Sequence, residues 1–178
     1  GLGAGDPNHW RMVAEISKVL QPQHINQITT AVGYTRGLLG QDDTIINALV
    51  SPTGEVGFVN LATGALSSKE DPTKVPIRTA IQMLKEMGAN SIKFFPMRGL
   101  KTISEYKAVC DACAELDFMV EPTGGLDLNN FREIVKTALD AGVKRVIPHV
   151  YSSIIDERTG ETRVEDVKSL YAIMEELV

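Results

Sequence analysis

Ser91-Ile92-Lys93-Phe94-Phe95-Pro96 is a short apolar run with one amine at its centre. Bounded by Gly88-Ala89-Asn90 and by Pro96, it has the length and composition of a buried strand. Working outward, Lys93, Val120 and Ile147 stand 27 residues apart, and each lies in a short run of this kind. A strand and a helix recurring at a constant spacing predict a parallel α/β sheet. No G-x-G-x-x-G follows a strand to mark a dinucleotide site, and equal spacing favours a (β/α) barrel over an open doubly wound sheet.

The flanking segments fit that reading. Asp6 caps a helix with Pro7 in its first turn and Trp10, Val13, Ile16 and Leu20 along one face, which makes Trp10 a core residue. Strands are expected at 24–30, 46–50, 91–95, 118–121 and 145–150, and residues 1–4 read as the tail of another. Helices are expected around 36–39 and over 75–87, 102–116, 128–141 and 164–177, with Gly88 and Gly142 as C-terminal stops. Residues 55–61 fit a hairpin arm or an insertion, and 62–76 a long polar loop. The expected architecture is a single domain over 1–178, a (β/α)8 TIM barrel with six strands in this numbering. An eight-stranded barrel usually needs about 200 residues or more, so the chain is expected to lack the two N-terminal strand-helix units.

Composition bounds the function. Of 178 residues, 43% are hydrophobic and 23% charged, enough for one sizeable core, and the net charge of −5 is spread without a basic cluster. No nucleic-acid or membrane partner is therefore expected. Cys110 and Cys113 form a C-x-x-C inside a helical stretch, where a lone pair cannot complete a zinc site; they read as semi-buried thiols of a reducing, cytoplasmic compartment. His9 and His24 with Asp6, Asp42 and Asp43 have no ligand spacing, so no metal is expected. Lys101 reads as the solvated start of a helix.

In a barrel, functional groups gather at the carboxyl ends of the strands. A lysine enclosed there loses proton affinity through desolvation, which frees its lone pair for attack on a carbonyl. The competing reading is a strand-end lysine that reaches solvent along its stem. Glu121-Pro122-Thr123-Gly124-Gly125 follows the next strand, and its glycine pair exposes N–H groups suited to a phosphate just before a helix starting near Asp127. A Thr-Gly-Gly alone is as readily a plain turn. Ser152 and Ser153 follow the last strand, where this fold often completes a phosphate site. Arg36, in a Gly-rich stretch after a strand, reads either as an anion clamp or as a surface residue. His149 reads as a proton shuttle or a hydrogen-bonded structural histidine.

Lys93-Phe94-Phe95-Pro96 followed by Pro122-Thr123-Gly124-Gly125 resembles the signature pair of the 2-keto-3-deoxy-6-phosphogluconate aldolases. Gly3-Ala4-Gly5 resembles the Gly-Ala-Gly that ends a strand in that family. Ser51-Pro52-Thr53-Gly54 and the run from Ile147 to Ser153 resemble a divergent bacterial branch, associated with 2-keto-3-deoxy-6-phosphogluconate and 4-hydroxy-2-oxoglutarate cleavage. The resemblance implies a class I aldolase that needs no cofactor. Lys93 would form the imine, Thr123 would bind the pyruvate carboxylate, and Gly124, Gly125 and Ser152 would hold the distal phosphate. Gly5 and Ser153 complete the expected substrate-binding set, with Arg36. The family's glutamate and arginine of an earlier strand have no counterpart motif here, and that role is not transferred to Glu121 or Glu55.

The expected partner is thus a small 2-keto acid or sugar phosphate, handled by a homo-oligomer. Two other readings stay open: a phosphosugar isomerase or epimerase working by proton transfer without an imine, and a non-catalytic sugar-phosphate binder.

Overall fold

The computed structural model describes residues 1–2 and 5–178. Gly1 and Leu2 carry no strand, and residues 3 and 4, the rest of the strand expected at 1–4 and the Gly3-Ala4 part of the glycine motif, lie outside the described residues. Asp6 accepts from the Asn8 N–H and starts a 3-10 turn at Pro7–His9 that runs into helix α1 (Trp10–Leu20). There follow strand β1 (His24–Ile28), helix α2 (Val32–Leu39) and strand β2 (Ile45–Pro52). Strands β3 (Phe58–Asn60) and β4 (Val75–Pro76) precede helix α3 (Ile77–Glu86) and strand β5 (Ser91–Phe94). Helix α4 (Ile103–Glu115), strand β6 (Met119–Pro122) and helices α5 (Phe131–Asp140) and α6 (Val164–Leu177) complete the order.

The sheet is mixed. Strands β1, β2, β5 and β6 lie side by side in chain order, each parallel to the next. The segment expected as a strand at 145–150 joins β6 only through isolated parallel bridges, at Val146 and His149. Because the order never reverses, the crossover helices all return over one face. Beyond Val50 the end of β2 leaves the parallel arc and pairs antiparallel with β3, which pairs with β4. The hairpin arm expected at 55–61 is thus real but short, and the loop expected at 62–76 ends in a strand. Thr29 and Thr63 both donate their hydroxyls to the Leu49 carbonyl, which ties this insertion to the parallel arc.

Register fixes what each face carries. Ile92 pairs with Ala48 and Val120, and Phe94 with Val50. This face packs on Ile81 and Leu84 of α3, Val109 and Cys110 of α4, and Ile134 and Val135 of α5, as one continuous core. The other face carries Asn26, Asn47, Leu49, Lys93 and Glu121, with Thr123 and His149 just beyond β6. A parallel strand whose two faces differ this sharply has one face against helices and the other reserved for chemistry. Trp10 is only half-buried; it meets the Tyr34 ring edge-on and carries the Arg11 guanidinium over its face.

Candidate active site

Lys93 sits near the carboxyl end of β5 and is 7% exposed. Leu49 of β2 and Glu121 of β6 are its register partners, so the three side chains leave the sheet side by side. The ammonium is hydrogen-bonded and ion-paired to Glu121 Oε1. Its Nζ lies 3.2 Å from Thr123 Oγ1 and 2.8 Å from His149 Nδ1. His149 Nδ1 is also 2.9 Å from Glu121 Oε1, so one carboxylate oxygen serves both bases. The second oxygen, Oε2, is held by Asn47 Nδ2 and lies 3.2 Å from His24 Nε2. Asn47 Nδ2 reaches Asn26 Oδ1 at 3.0 Å, which extends the polar layer to β1.

The electrostatics follow from burial. Desolvation pulls the Lys93 ammonium below its ordinary value of 10.5, against the opposing pull of the Glu121 charge and hydrogen bond. Burial alone would raise the Glu121 carboxyl. Hydrogen bonds from His149, His24 and Lys93, together with the Lys93 charge, outweigh it and hold the carboxyl well below the ordinary range.

Lys93, Thr123 and His149 open onto a cavity of ≈500 Å³, also lined by Gly5, Phe95, Gly124, Gly125, Leu126, Tyr151 and Ser152. That is ample for a six-carbon acid. The glycine pair is required by space as well as by conformation. At φ +76° a Gly125 Cβ would stand 2.6 Å from the Gly99 N, and a Gly124 Cβ 3.2 Å from the Met97 N. The loop after β5 packs directly on them through Met97 N–H to the Thr123 carbonyl and Gly99 N–H to the Gly124 carbonyl. Among the described residues neither the Gly124 nor the Gly125 N–H has an acceptor within the protein. Helix α5 begins at Phe131, three residues later than expected, because Asp127 folds a turn and caps the Asn129 and Asn130 N–H groups. The N–H groups facing the cavity are therefore those of a glycine turn, and a helix end is not part of that wall.

The expected residues divide cleanly. Lys93, Thr123, Gly124, Gly125, Gly5 and Ser152 meet at one cavity. Ser153 is beside it, but its hydroxyl donates to the Leu126 carbonyl at 2.6 Å. Arg36 is elsewhere: its guanidinium binds the carbonyls of Gln41, Thr44 and Gly88 and Asn90 Oδ1, at the amino ends of β2 and β5. An arginine whose donors are spent on main chain at the far end of the strands cannot clamp a ligand over Lys93, and the expected anion-clamp role is corrected to a structural one. Glu121 and His24 were not among the expected site residues. The C-x-x-C forms two free thiols in α4 that are fully buried where semi-buried ones were expected, and burial pushes Cys110 up to about 12.

A sequence profile of the KDGP aldolase family matches residues 1–158. The chain belongs to the KDGP aldolase family. It is 47% identical over 182 residues to the 2-dehydro-3-deoxy-phosphogluconate aldolase of Salmonella typhimurium (strain 14028s / SGSC 2262), covering all of this chain and 74% of that protein. In fold it is similar to a native KDPGal structure at TM-score 0.57 and 14% identity; the match spans 92% of this chain and 64% of the other. The carboxyl transferase domain of Rhizobium etli pyruvate carboxylase with pyruvate is similar at TM-score 0.55 and 15% identity, over 91% of this chain and 28% of that one. At such identities the structural likenesses speak for the fold alone. The family resemblance carried by Lys93-Phe94-Phe95-Pro96 and Pro122-Thr123-Gly124-Gly125 holds.

Proposed function

We propose that this member of the KDGP aldolase family is a class I aldolase, a lyase that cleaves 2-keto-3-deoxy-6-phosphogluconate or a related 4-hydroxy-2-oxo acid. The products are pyruvate and an aldehyde, glyceraldehyde 3-phosphate or glyoxylate. One observation carries the reading: a lysine at the carboxyl end of a central strand, buried, with depressed proton affinity, and open to a cavity of ligand size. The neutral amine attacks the 2-keto carbon and expels water to give an iminium. That cation draws the C3–C4 bonding electrons as the bond breaks and the C4 hydroxyl gives up its proton, releasing the aldehyde and leaving the enamine of pyruvate. Protonation at C3 and hydrolysis return Lys93.

The remaining groups have places in this chemistry. Thr123 Oγ1, 3.2 Å from Nζ, suits donation to the substrate carboxylate. The Gly124 and Gly125 N–H groups and the Ser152 hydroxyl, which line the same cavity, suit the distal phosphate. Ser153 supports this wall by anchoring Leu126. We read the parallel arc as part of a (β/α)8 barrel in one domain, because its strands follow chain order and its polar face carries the site. A homo-oligomer in the cytoplasm completes the reading. Among the described residues no helix is long and apolar enough to cross a membrane.

The test is intact-mass spectrometry after incubation with pyruvate and borohydride, beside Lys93→Ala. A gain of one reduced pyruvate in the wild type, absent in the variant, is expected. An active, folded protein that gains no mass would put the proton-transfer isomerase first. Binding of a sugar phosphate with neither turnover nor adduct would leave a binding protein.

A further inference from the structure

Making an iminium from the Lys93 ammonium requires moving two protons in turn from Nζ to the carbonyl oxygen, which then leaves as water. A buried site accomplishes this only if a base touches Nζ and if moving the proton does not strand a charge. Three groups meet that need here. His149 Nδ1 is 2.8 Å from Lys93 Nζ, and Glu121 Oε1 contacts both, at 2.9 Å from the imidazole. The carboxylate thus faces a cation whichever of the two bases holds the proton. Its other oxygen is fixed by Asn47 and His24, so Oε1 stays aimed between the pair. The titratable groups converging here among the described residues are Lys93 from β5, Glu121 from β6, His24 from β1 and His149 after β6. Asn26, Asn47 and Thr123 add no charge.

Resting on the aldolase reading, we propose that Lys93 and His149 share one proton across the Glu121 carboxylate, His149 being the acid and base of imine formation and Glu121 its fixed counter-charge. With the ring hydrogen of neutral His149 on Nε2, the proton passes from Nζ to Nδ1, leaving a neutral amine and an imidazolium whose Nδ1–H then donates to the same carboxylate. Nζ bonds to the keto carbon, the imidazolium protonates the oxygen, and neutral His149 then takes the second proton from the new C–N centre. The resulting imidazolium protonates the carbinol oxygen, which leaves as water while the nitrogen lone pair forms the C=N bond. The iminium now occupies the place of the original ammonium, with its positive charge still against Glu121 and His149 neutral again. Charge in the cluster is the same at the start and the end. A histidine that is 38% exposed at its side chain and lines the cavity can reach the substrate oxygen as well as Nζ.

The experiment measures the rate of borohydride trapping of pyruvate against pH for wild type and His149→Ala, with and without added imidazole. It also follows exchange of the pyruvate methyl protons in deuterated water. We expect trapping to slow ~10²-fold or more in His149→Ala. We expect its rate to climb with pH where bulk solvent deprotonates Lys93, and imidazole to restore a substantial part. Wild-type trapping should vary less over the same range. Glu121→Gln should also trap more slowly, with no rescue by imidazole, because the counter-charge and not the base is missing. Trapping at the wild-type rate in folded His149→Ala, or slow trapping that neither imidazole nor pH relieves, would overturn the proposal. A wild type that forms no adduct at all would defeat the aldolase reading itself, and the two failures are thereby distinct.

Discussion

Because Lys93 and Glu121 are register partners, any change to one is felt by the other, and their titration reports on the site. Burial raises the Glu121 carboxyl, and its bonds to His149, His24 and Lys93 more than reverse this. The folded protein therefore binds fewer protons than the unfolded chain between that depressed value and the ordinary 4.5. The stability contributed is complete above about pH 4.5 and is lost as the pH falls below it towards the folded value. Urea unfolding between pH ~6 and ~3 should show this decline in the wild type and a shallower one in Glu121→Gln. Equal slopes would mean that the carboxylate is not held as its contacts imply. The same residue shows where sequence reading stopped short. A spacing of 27 residues puts Val120 level with Lys93, whereas the sheet pairs Lys93 with Glu121 and Ile92 with Val120. A slip of one residue exchanges the two faces of a strand, so a core valine stood in for the carboxylate beside the amine. His24 escaped because it was weighed only for metal spacing, while its contact with Glu121 reaches across the two strands between β1 and β6.

At the scale of elements, what was legible followed from strong local periodicity. Helix α6 matches its expected bounds, and α3 and α4 begin and end within two residues of theirs; α3 and α4 each bury an apolar stripe, and Gly88 follows α3 as a stop. Strands β3 and β4 are three and two residues long, too short for any alternation to show, and exist because the end of β2 offers them an edge. Helix α2 starts at Val32, four residues earlier than expected; Thr35 and Arg36 inside it spend their polar groups on distant partners. Arg36 is the more consequential. It links α2 to the starts of β2 and β5 through bonds to Thr44, Gly88 and Asn90. Arg36→Ala strands several half-buried acceptors and should cost about 2–4 kcal/mol in chemical denaturation. Pyruvate trapping well below the melting temperature should be unchanged, because the cavity is at the other end of the strands. A loss of trapping with stability intact would return Arg36 to the site.

For the whole molecule, the division of the sheet into a helix-packed face and a chemical face makes the core continuous on one side only. Ile46, Ala48, Val50, Ile92, Phe94 and Val120 are fully or almost fully enclosed, and α4 is seated on them through Tyr106, Val109, Cys110 and Cys113. The sequence carried that division in the alternation of Ile92, Lys93 and Phe94, and the barrel expectation set these strands in chain order, but the register between them was not legible. Both thiols lie in the helix layer, remote from the cavity, and burial raises both, Cys110 to about 12 and Cys113 further still. The thiolate is the reactive form, so neither should react with an aromatic disulfide reagent at pH ~8 while the core is closed. Labelling then requires α4 to leave the sheet. If the core opens as one unit, both cysteines should label at a common rate that rises with denaturant in step with the loss of helical circular dichroism. Rapid labelling of Cys110 in native conditions would instead mean that α4 opens by itself, and that the layer behind Lys93 is looser than its packing indicates.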